Sequence, residues 1–399
     1  MGGTLNSIYN NLSFALKLHS EALFRLQEQA SSGARVNRVS DDPSAAYQIM
    51  GLDSQGRSLA DYIDTLSDVS STLEVSSSII QQMISTITQA KVNVSQIVSG
   101  IYNQDGRERT AEAIDNALEQ LVQLANTKHN GQYLFGGDNS ARQPYAVERT
   151  DGEITNVTYQ GGSENRSIEA APGVESSALY AGDAIFRSDE RSEPIFVGST
   201  GAAAGTGTSS VRGDVWLTVI NDGSNYKLSI DDGASYVTVP SGGETNQAVT
   251  DSRTGRVLYV DSTQIDGTGV ELVRVPGTYD VFNSLITIRD ILKNERDLSD
   301  AELEDIRNSA IGSLDEVNNL LVQAEVSIGS RIGFLSNLKQ GLEGIKFNAE
   351  DQTSRLEEAD IAQVAIDLSR QEVLYQMSLS VAGKIMSLSL LDFIGNTTG

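Results

Sequence analysis

One repeating pattern constrains this chain more than any other feature of its sequence. Between positions 66 and 101, apolar residues recur at alternating spacings of three and four, and Ser76 is the single polar member of the series. The series is Leu66, Val69, Leu73, Ser76, Ile80, Met83, Ile87, Ala90, Val94, Ile97 and Ile101. Such a heptad pattern predicts a helix of roughly 50 Å that buries one face against a partner helix.

A second series of the same kind lies near the other end of the chain and supplies the partner. Its members are Leu314, Val317, Leu321, Ala324, Ile328, Arg331, Leu335, Leu338, Leu342, Ile345 and Ala349. The segment between the two series is β-like, and it must leave and re-enter the bundle at neighbouring points. We therefore expect the two long helices to pack antiparallel. A shorter helix carrying Ile114, Leu118, Leu121 and Ala125 precedes the β-like segment.

The two terminal segments also carry apolar stripes at helical spacing. The N-terminal seam is predicted at Leu5, Ile8, Leu12, Ala15, His19, Ala22 and Leu26, widened by Leu16, Leu23 and Ala30. The C-terminal seam is predicted at Ala365, Leu368, Glu372, Tyr375, Leu379, Ala382, Met386, Ser389 and Phe393, widened by Val364, Val373 and Ile385. We predict that self-assembly contacts come from Leu5, Ile8, Leu12, Leu16, Leu23, Leu26, Leu368, Tyr375, Leu379, Ile385, Leu388, Leu390, Leu391 and Phe393. Because no intramolecular core is evident for these arms, they are expected to order on assembly.

The predicted fold class is mainly α with a β insertion: a long antiparallel, coiled-coil-like helical bundle built from both chain ends, with a β-rich inserted domain. Alternating residues and Asp-Gly turns between 215 and 239 predict an antiparallel meander, with Trp216, Thr218 and Ile220 on one face. The predicted domains are an N-terminal arm (1–40), a bundle (41–140 with 280–357), a β-rich outer domain (141–279) and a C-terminal arm (358–399). The two arms leave the bundle at the same end, so we expect them to pair with each other.

Charge and composition argue against several classes of function. The formal net charge is -25, which disfavours binding to nucleic acid or to an anionic membrane surface. The chain has no cysteine and two histidines, His19 and His129, so we predict no catalytic residues, no cofactor and no metal site. His19 lies in the N-terminal seam, where a packing or register role is expected. The first residues lack the regions of a cleaved signal peptide.

Three motifs in the helical regions of this sequence carry a resemblance to a known family. The first runs from Leu26 to Gly33 and continues through Arg35-Val36-Asn37-Arg38-Val39-Ser40-Asp41-Asp42-Pro43. The second is Asn130-Gly131-Gln132-Tyr133-Leu134-Phe135-Gly136-Gly137, and the third is the ending Ser387-Leu388-Ser389-Leu390-Leu391-Asp392-Phe393-Ile394. These motifs resemble the bacterial flagellin superfamily, and in particular its hook–filament junction members. The resemblance covers roughly the first 140 and the last 120 residues and leaves the insertion without a counterpart.

The resemblance implies a structural, non-enzymatic subunit at the distal end of the flagellar hook, outside the cell. It implies export through the flagellar type III apparatus without a cleaved signal peptide, aided by a dedicated chaperone on the C-terminal arm. The implied partners are copies of the chain, a second junction protein and flagellin. Two alternatives stay open: a filament flagellin, and a surface adhesin or glycan-binding module carried by the insertion, for which Trp216 is a candidate platform.

Overall fold

A computed structural model describes the backbone of residues 2–99, 104–294, 296, 298 and 300–395. It describes the side chains of residues 10–97, 104–294, 296, 298, 303–306 and 310–387. The helices are α1 (Gly2–Ser32), α2 (Pro43–Ser99), α3 (Gln104–Ala125), α4 (Gly182–Phe186), α5 (Val281–Lys293), α6 (Asp300–Glu357) and α7 (Ile361–Gly395). Long helices at both ends and β structure between them confirm the predicted fold class.

The chain divides into two compact units. The first contains the residues up to Asp64 and those from Leu338 onward, and the second contains Thr65–Asn337. This division falls inside α2 and α6, whereas the sequence placed the arm boundaries after residue 40 and after residue 357. The predicted domain boundaries stay a prediction.

The predicted seam of α2 is confirmed wherever its side chains are described. All ten positions from Leu66 to Ile97 are buried, with at most 6% of each residue exposed, and Ile101 lies outside the described residues. Ser76 is buried without penalty because its hydroxyl donates to the carbonyl of Thr72 at 2.9 Å. The seam therefore gains its apolar burial without an unsatisfied polar group.

The seam of α6 follows the prediction until its last turns. Leu314, Leu321 and Leu335 are fully buried, but Ile345 is 48% exposed and Lys346 is half-buried in its place. Leu342 and Ala349, the seam positions on either side of it, are 7% and 5% exposed, so the departure is local and not a progressive drift of the heptad pattern. The prediction for Ile345 was wrong.

In the second unit, α2 and α6 run antiparallel, as predicted. Gln81 Nε2 donates to Glu325 Oε1 at 2.5 Å, and Lys91 forms an ion pair with Asp315 ten residues further along α2. Polar contacts at the edge of the apolar seam therefore hold the two helices in one register over several turns.

Strand structure fills the segment between α3 and α5. The strands are β1 (Lys128–His129), β2 (Gln132–Tyr133), β3 (Tyr145–Thr150), β4 (Glu153–Tyr159), β5 (Arg166–Ala171), β6 (Val174–Leu179), β7 (Ile195–Val197), β8 (Ala203–Ala204), β9 (Gly213–Asn221), β10 (Tyr226–Ser229), β11 (Val237–Thr238), β12 (Gln247–Thr250), β13 (Val257–Asp261) and β14 (Gly269–Val275). β1–β2, β3–β4 and β5–β6 are hairpins. The remaining strands form an antiparallel sheet of order β11-β10-β9-β14-β7 and a smaller one of order β12-β13-β8.

The predicted meander is confirmed as β9, β10 and β11, and both faces of β9 are covered. Leu217 and Val219 enter the core between the two sheets, next to Leu228 and Leu258. Trp216 lies on the opposite face, where it packs against Leu272 and residues of α5 and α6. Both faces of β9 are covered, so alternation alone could not choose between them.

The Asn130–Phe135 motif forms a tight turn and an aromatic anchor. Asn130 and Gly131 both have positive φ, 49° and 79°, which is the geometry of a two-residue hairpin turn between β1 and β2. Phe135 is fully buried and meets Phe186 edge-on with 4.9 Å between ring centroids. The motif therefore joins the end of α3 to the aromatic core beneath the β hairpins.

Two buried polar networks connect elements of the second unit. Arg289 of α5 bonds to Asp115 of α3 at 2.8 Å, to Asp290 at 2.9 Å and to the carbonyl of Ile154 at 2.8 Å, with 3% of its side chain exposed. In the insertion, the buried Asp231 carboxylate accepts bonds from Ser235 and Ser252. Burial opposes its ionisation, but these hydrogen bonds outweigh burial and hold the pKa of Asp231 well below its ordinary value.

Candidate assembly site on the paired terminal arms

The N-terminal arm helix α1 presents one face to the C-terminal arm helix α7. The α1 face consists of half-buried side chains at helical spacing: Leu12, Ala15, Leu16, His19, Ala22, Leu23 and Leu26. These positions are the predicted N-terminal seam, except that Ala30 is exposed. Each arm therefore covers part of the other within one chain.

The facing side of α7 is offset by one residue from the predicted seam. Val364 is buried, and the half-buried positions that follow it at heptad spacing are Leu368, Gln371, Tyr375, Ser378, Ala382 and Ile385. Leu368, Tyr375 and Ala382 belong to the predicted seam, whereas Glu372 and Leu379 are exposed. α7 is apolar around most of its circumference, so hydrophobic spacing alone leaves the facing side undetermined.

One polar pair lies inside this apolar contact. Gln371 Nε2 is 2.9 Å from His19 Nδ1, a hydrogen-bonding distance, and both side chains are half-buried. Ala34 bridges Glu358 at the other end of the contact. The two pairings show that α1 and α7 run antiparallel and fix their stagger.

The two arms are joined where they meet the bundle by a short segment that we call the arm base, residues 33–42 with 356–360. The amide of Arg35 donates to the carbonyl of Glu357 at 2.6 Å, and the amide of Ala359 donates to the carbonyl of Gly33 at 2.9 Å. Gly33 adopts φ 74°, a conformation that side chains rarely allow and that ends α1. Asp360 then caps α7 by accepting from the amide of Gln363.

The arm base also begins α2. Asp42 Oδ1 accepts from the amide of Ala45 at 3.0 Å, and its Oδ2 lies 3.0 Å from the Arg35 guanidinium. These bonds, the backbone bond first, hold the pKa of Asp42 below its ordinary value. Arg35 also donates to the carbonyl of Leu356 at 2.9 Å, so one side chain bonds to the start of α2 and to the last turn of α6. Asp is a residue type that helix N-caps favour, whereas no local sequence rule assigns a role to Arg35.

The outer surfaces of both arms keep large apolar side chains in contact with solvent. On α1, Phe14 is 63% exposed and Leu18 is 50% exposed. On α7, Ile366, Val373 and Met377 are 62%, 53% and 60% exposed and lie on the side opposite Gln371. A monomeric soluble protein rarely leaves apolar side chains grouped in this way, so the outer surfaces are candidates for contact with other protein.

The predicted assembly residues separate into three groups. Those half-buried between the arms are Leu12, Leu16, Leu23, Leu26, Leu368, Tyr375 and Ile385, and Leu379 is 46% exposed. The side chains that lie outside the described residues are Leu5, Ile8, Leu388, Leu390, Leu391 and Phe393. Sequence reasoning missed the outer surface, including Phe14 and Met377. Counting apolar residues on every face of each helix, rather than on one seam, would have found it.

The indole ring of Trp216 is covered, which argues against its use as a glycan-binding platform. The Arg296 guanidinium lies over its indole ring, 4.6 Å from the centroid, and the residue is half-buried. Among the described residues, no three His, Asp or Glu side chains are grouped as a metal site requires. No helix within that same part of the chain has the length and hydrophobicity of a membrane span.

Comparisons with known proteins agree with the motifs in the first 140 residues. Residues 4–140 match the model of the bacterial flagellin N-terminal helical region. The resemblance to the flagellin superfamily is confirmed. Flagellar hook-associated protein 3 of Escherichia coli K12 is 31% identical over 164 residues, which are 40% of this chain and 49% of that protein. The match thus spans about half the length of that relative.

Two further comparisons bear on the subgroup and on the fold. Flagellin A of Helicobacter pylori is 26% identical over 40% of this chain and 29% of its own length. The crystal structure of flagellar hook-associated protein 3 from Legionella pneumophila superposes with a TM-score of 0.54 over 77% of this chain and 98% of its own, at 16% identity. At that identity the superposition shows the shared fold alone.

Proposed function

We propose that this protein is a structural subunit of the bacterial flagellum that joins hook to filament by self-assembly at the distal end of the hook. The observation that carries the proposal is the arm pair, whose inner faces cover each other while its outer faces keep Phe14, Ile366 and Met377 exposed. The matches to hook-associated protein 3 of two enteric bacteria support this place in the flagellum.

Burial of the outer faces supplies the free energy for association. Full burial of one Ile, Met or Phe side chain contributes about 1.5–3 kcal/mol, so several per arm outweigh the cost of fixing their rotamers. The net charge of -25 opposes the approach of copies, and salt screens that repulsion. Assembly of the purified protein should therefore strengthen as ionic strength rises.

The proposal includes partners and a route. Copies of the same chain, a second junction protein and flagellin would contact the arms and the bundle, and the assembled protein would lie outside the cell. An export chaperone would cover the C-terminal arm before assembly, because Val373, Met377 and Leu379 of α7 expose apolar surface that needs protection from aggregation. No cofactor and no catalytic residue enter this function.

Localisation on intact flagella tests the proposal. A labelled chain should form one short band at the distal end of the hook, and cells without the chain should shed filaments. Filament flagellin is the second candidate, favoured by the matches to Helicobacter flagellins. Labelling along the whole filament, or long filaments from the purified protein, would establish that candidate and refute the junction role.

A further inference from the structure

The C-terminal arm helix α7 has more than one apolar face that could pack against α1, so a specific interaction must determine which face does. The face in contact contains Val364, Leu368 and Tyr375. A second stripe, which we call the outer stripe, has nearly the same heptad spacing and consists of Ile366, Arg370, Val373, Met377, Val381 and Lys384. Apolar burial alone distinguishes the two stripes poorly, because each places several large apolar side chains along the helix.

The α7 residue that faces His19 depends on which face of α7 packs against α1. The observed face places Gln371 there, at 2.9 Å. Rotating α7 by one residue in one direction would bring Arg370 to this position, and rotating it in the other would bring Glu372. Either change would put a full charge into a half-buried contact, whereas the amide of Gln371 pairs with the imidazole and adds no net charge.

A shift of α7 along α1 would separate the two polar side chains instead. Displacement by one heptad in either direction would place His19 opposite Val364 or Ser378. Gln371 would then face Leu12 or Leu26, with no polar partner on that seam. A single polar pair in an apolar helix contact is known to specify register and orientation at some cost in stability.

We infer that His19 and Gln371 select which face of α7 packs inside the chain, and so leave the outer stripe free for neighbouring copies. The first part is a property of the single chain. The second part rests on the proposed function, because it supposes that copies associate through the arms. The outer stripe carries Arg370 and Lys384, and the exposed Glu21 of α1, which lies 3.8 Å from Lys17 of its own helix, gives a neighbouring copy a carboxylate that can face these cations.

Cross-linking of the full chain tests the inference, because the chain contains no cysteine and introduced thiols have no competitors. Ala22 and Leu368 are half-buried on the facing sides of the arms, while Arg370 is exposed. A chain with A22C and L368C reports the observed face, and a matched chain with A22C and R370C reports the rotated one. Both are oxidised as isolated monomers, and the rate of disulfide formation is compared.

The observed face should cross-link at least about ten times faster than the rotated face when His19 and Gln371 are present. With H19L and Q371L added to both chains, the ratio should fall to about twofold or less. H19Q, which keeps a hydrogen-bonding partner for Gln371, should restore most of the preference. Circular dichroism checks that the arms stay helical, and H19A with Q371A repeats the comparison if the leucine variant aggregates.

An unchanged ratio in the apolar variants would overturn the inference, because the leucine seam would then be sufficient to choose the face. Loss of both cross-links with loss of helix would also overturn it, since the pair would hold the arms together rather than orient them. A chain that keeps its preference as a monomer but fails to assemble would refute the proposed function and leave face selection intact.

Discussion

Met377 offers the sharpest test of the outer arm surface, because a charge placed there should be tolerated by the monomer and rejected by the assembly. The residue is 60% exposed in the single chain, so M377D removes little intramolecular packing and should change the free energy of unfolding by less than about 0.5 kcal/mol. If assembly covers the exposed part of Met377, its burial contributes roughly 60% of the 1.5–3 kcal/mol for a whole side chain, or about 1–2 kcal/mol.

The introduced carboxylate adds a second cost. An unpaired polar or charged group brought into a contact costs at least about 1–3 kcal/mol, and more if no water reaches it. The two effects together weaken each copy-to-copy contact by about 2–5 kcal/mol, which is about 30-fold to several thousand-fold in the association constant. Sedimentation of the purified protein across a concentration series measures this change, and thermal unfolding of the dilute monomer measures the control quantity.

The neighbouring position supplies a matched variant with the same added charge. Gln376 is exposed on the polar side of α7, and Q376D should change association by only a few fold. Equal loss of assembly in both variants would show that net charge, rather than burial of the outer surface, governs association. Unchanged assembly in M377D would refute the role assigned to that surface.

Three further predictions concern stability and order. R289M should lower the free energy of unfolding of the second unit by about 1–3 kcal/mol in denaturant titration, because the buried carbonyl of Ile154 and the partly exposed Asp115 lose their hydrogen-bonding partner, and adding D115N should recover part of the loss. D231N should destabilise the insertion at neutral pH. Because the folded-state pKa of Asp231 lies below the unfolded value of about 3.9, its stabilisation is present above about pH 4 and disappears as the pH falls, so parent and variant should converge in acid thermal melts. Amide exchange at residues 5–30 and 365–393 should be faster in the isolated monomer, where the described arm contact is only half-buried, than after assembly, and equal protection in the two states would contradict further ordering on assembly.

The sequence predicted those helices whose apolar stripe is narrow and regular. α2 carries one stripe with a single polar member, so period and phase both follow from the spacing. α7 is apolar on several sides, and the choice of its facing side depends on a contact with His19, 352 residues away in the chain. No property local to residues 361–395 contains that information.

The insertion shows the same limit in a β context. Alternation from Trp216 to Ile220 predicted a strand correctly, but the sheet is covered on both faces, by a second sheet and by helices. The face of Leu217 and that of Trp216 are therefore both covered. Only the tertiary arrangement decides which face packs against the second sheet and which packs against the helices. The role of Arg35 at the arm base was missed for a related reason. Its guanidinium bonds to the carbonyl of Leu356, which lies in a distant part of the sequence.

The antiparallel arm pair also determines where a probe can be attached. The beginning of α1 and the end of α7 lie at the same end of the pair, so a tag fused to either terminus would crowd the same place and compete with the contacts that it is meant to report. The turn from Asp222 to Asn225 joins β9 to β10 within the inserted domain, and its side chains are exposed. A short epitope inserted there leaves both arms unmodified, which makes it the better reporter for labelling intact flagella.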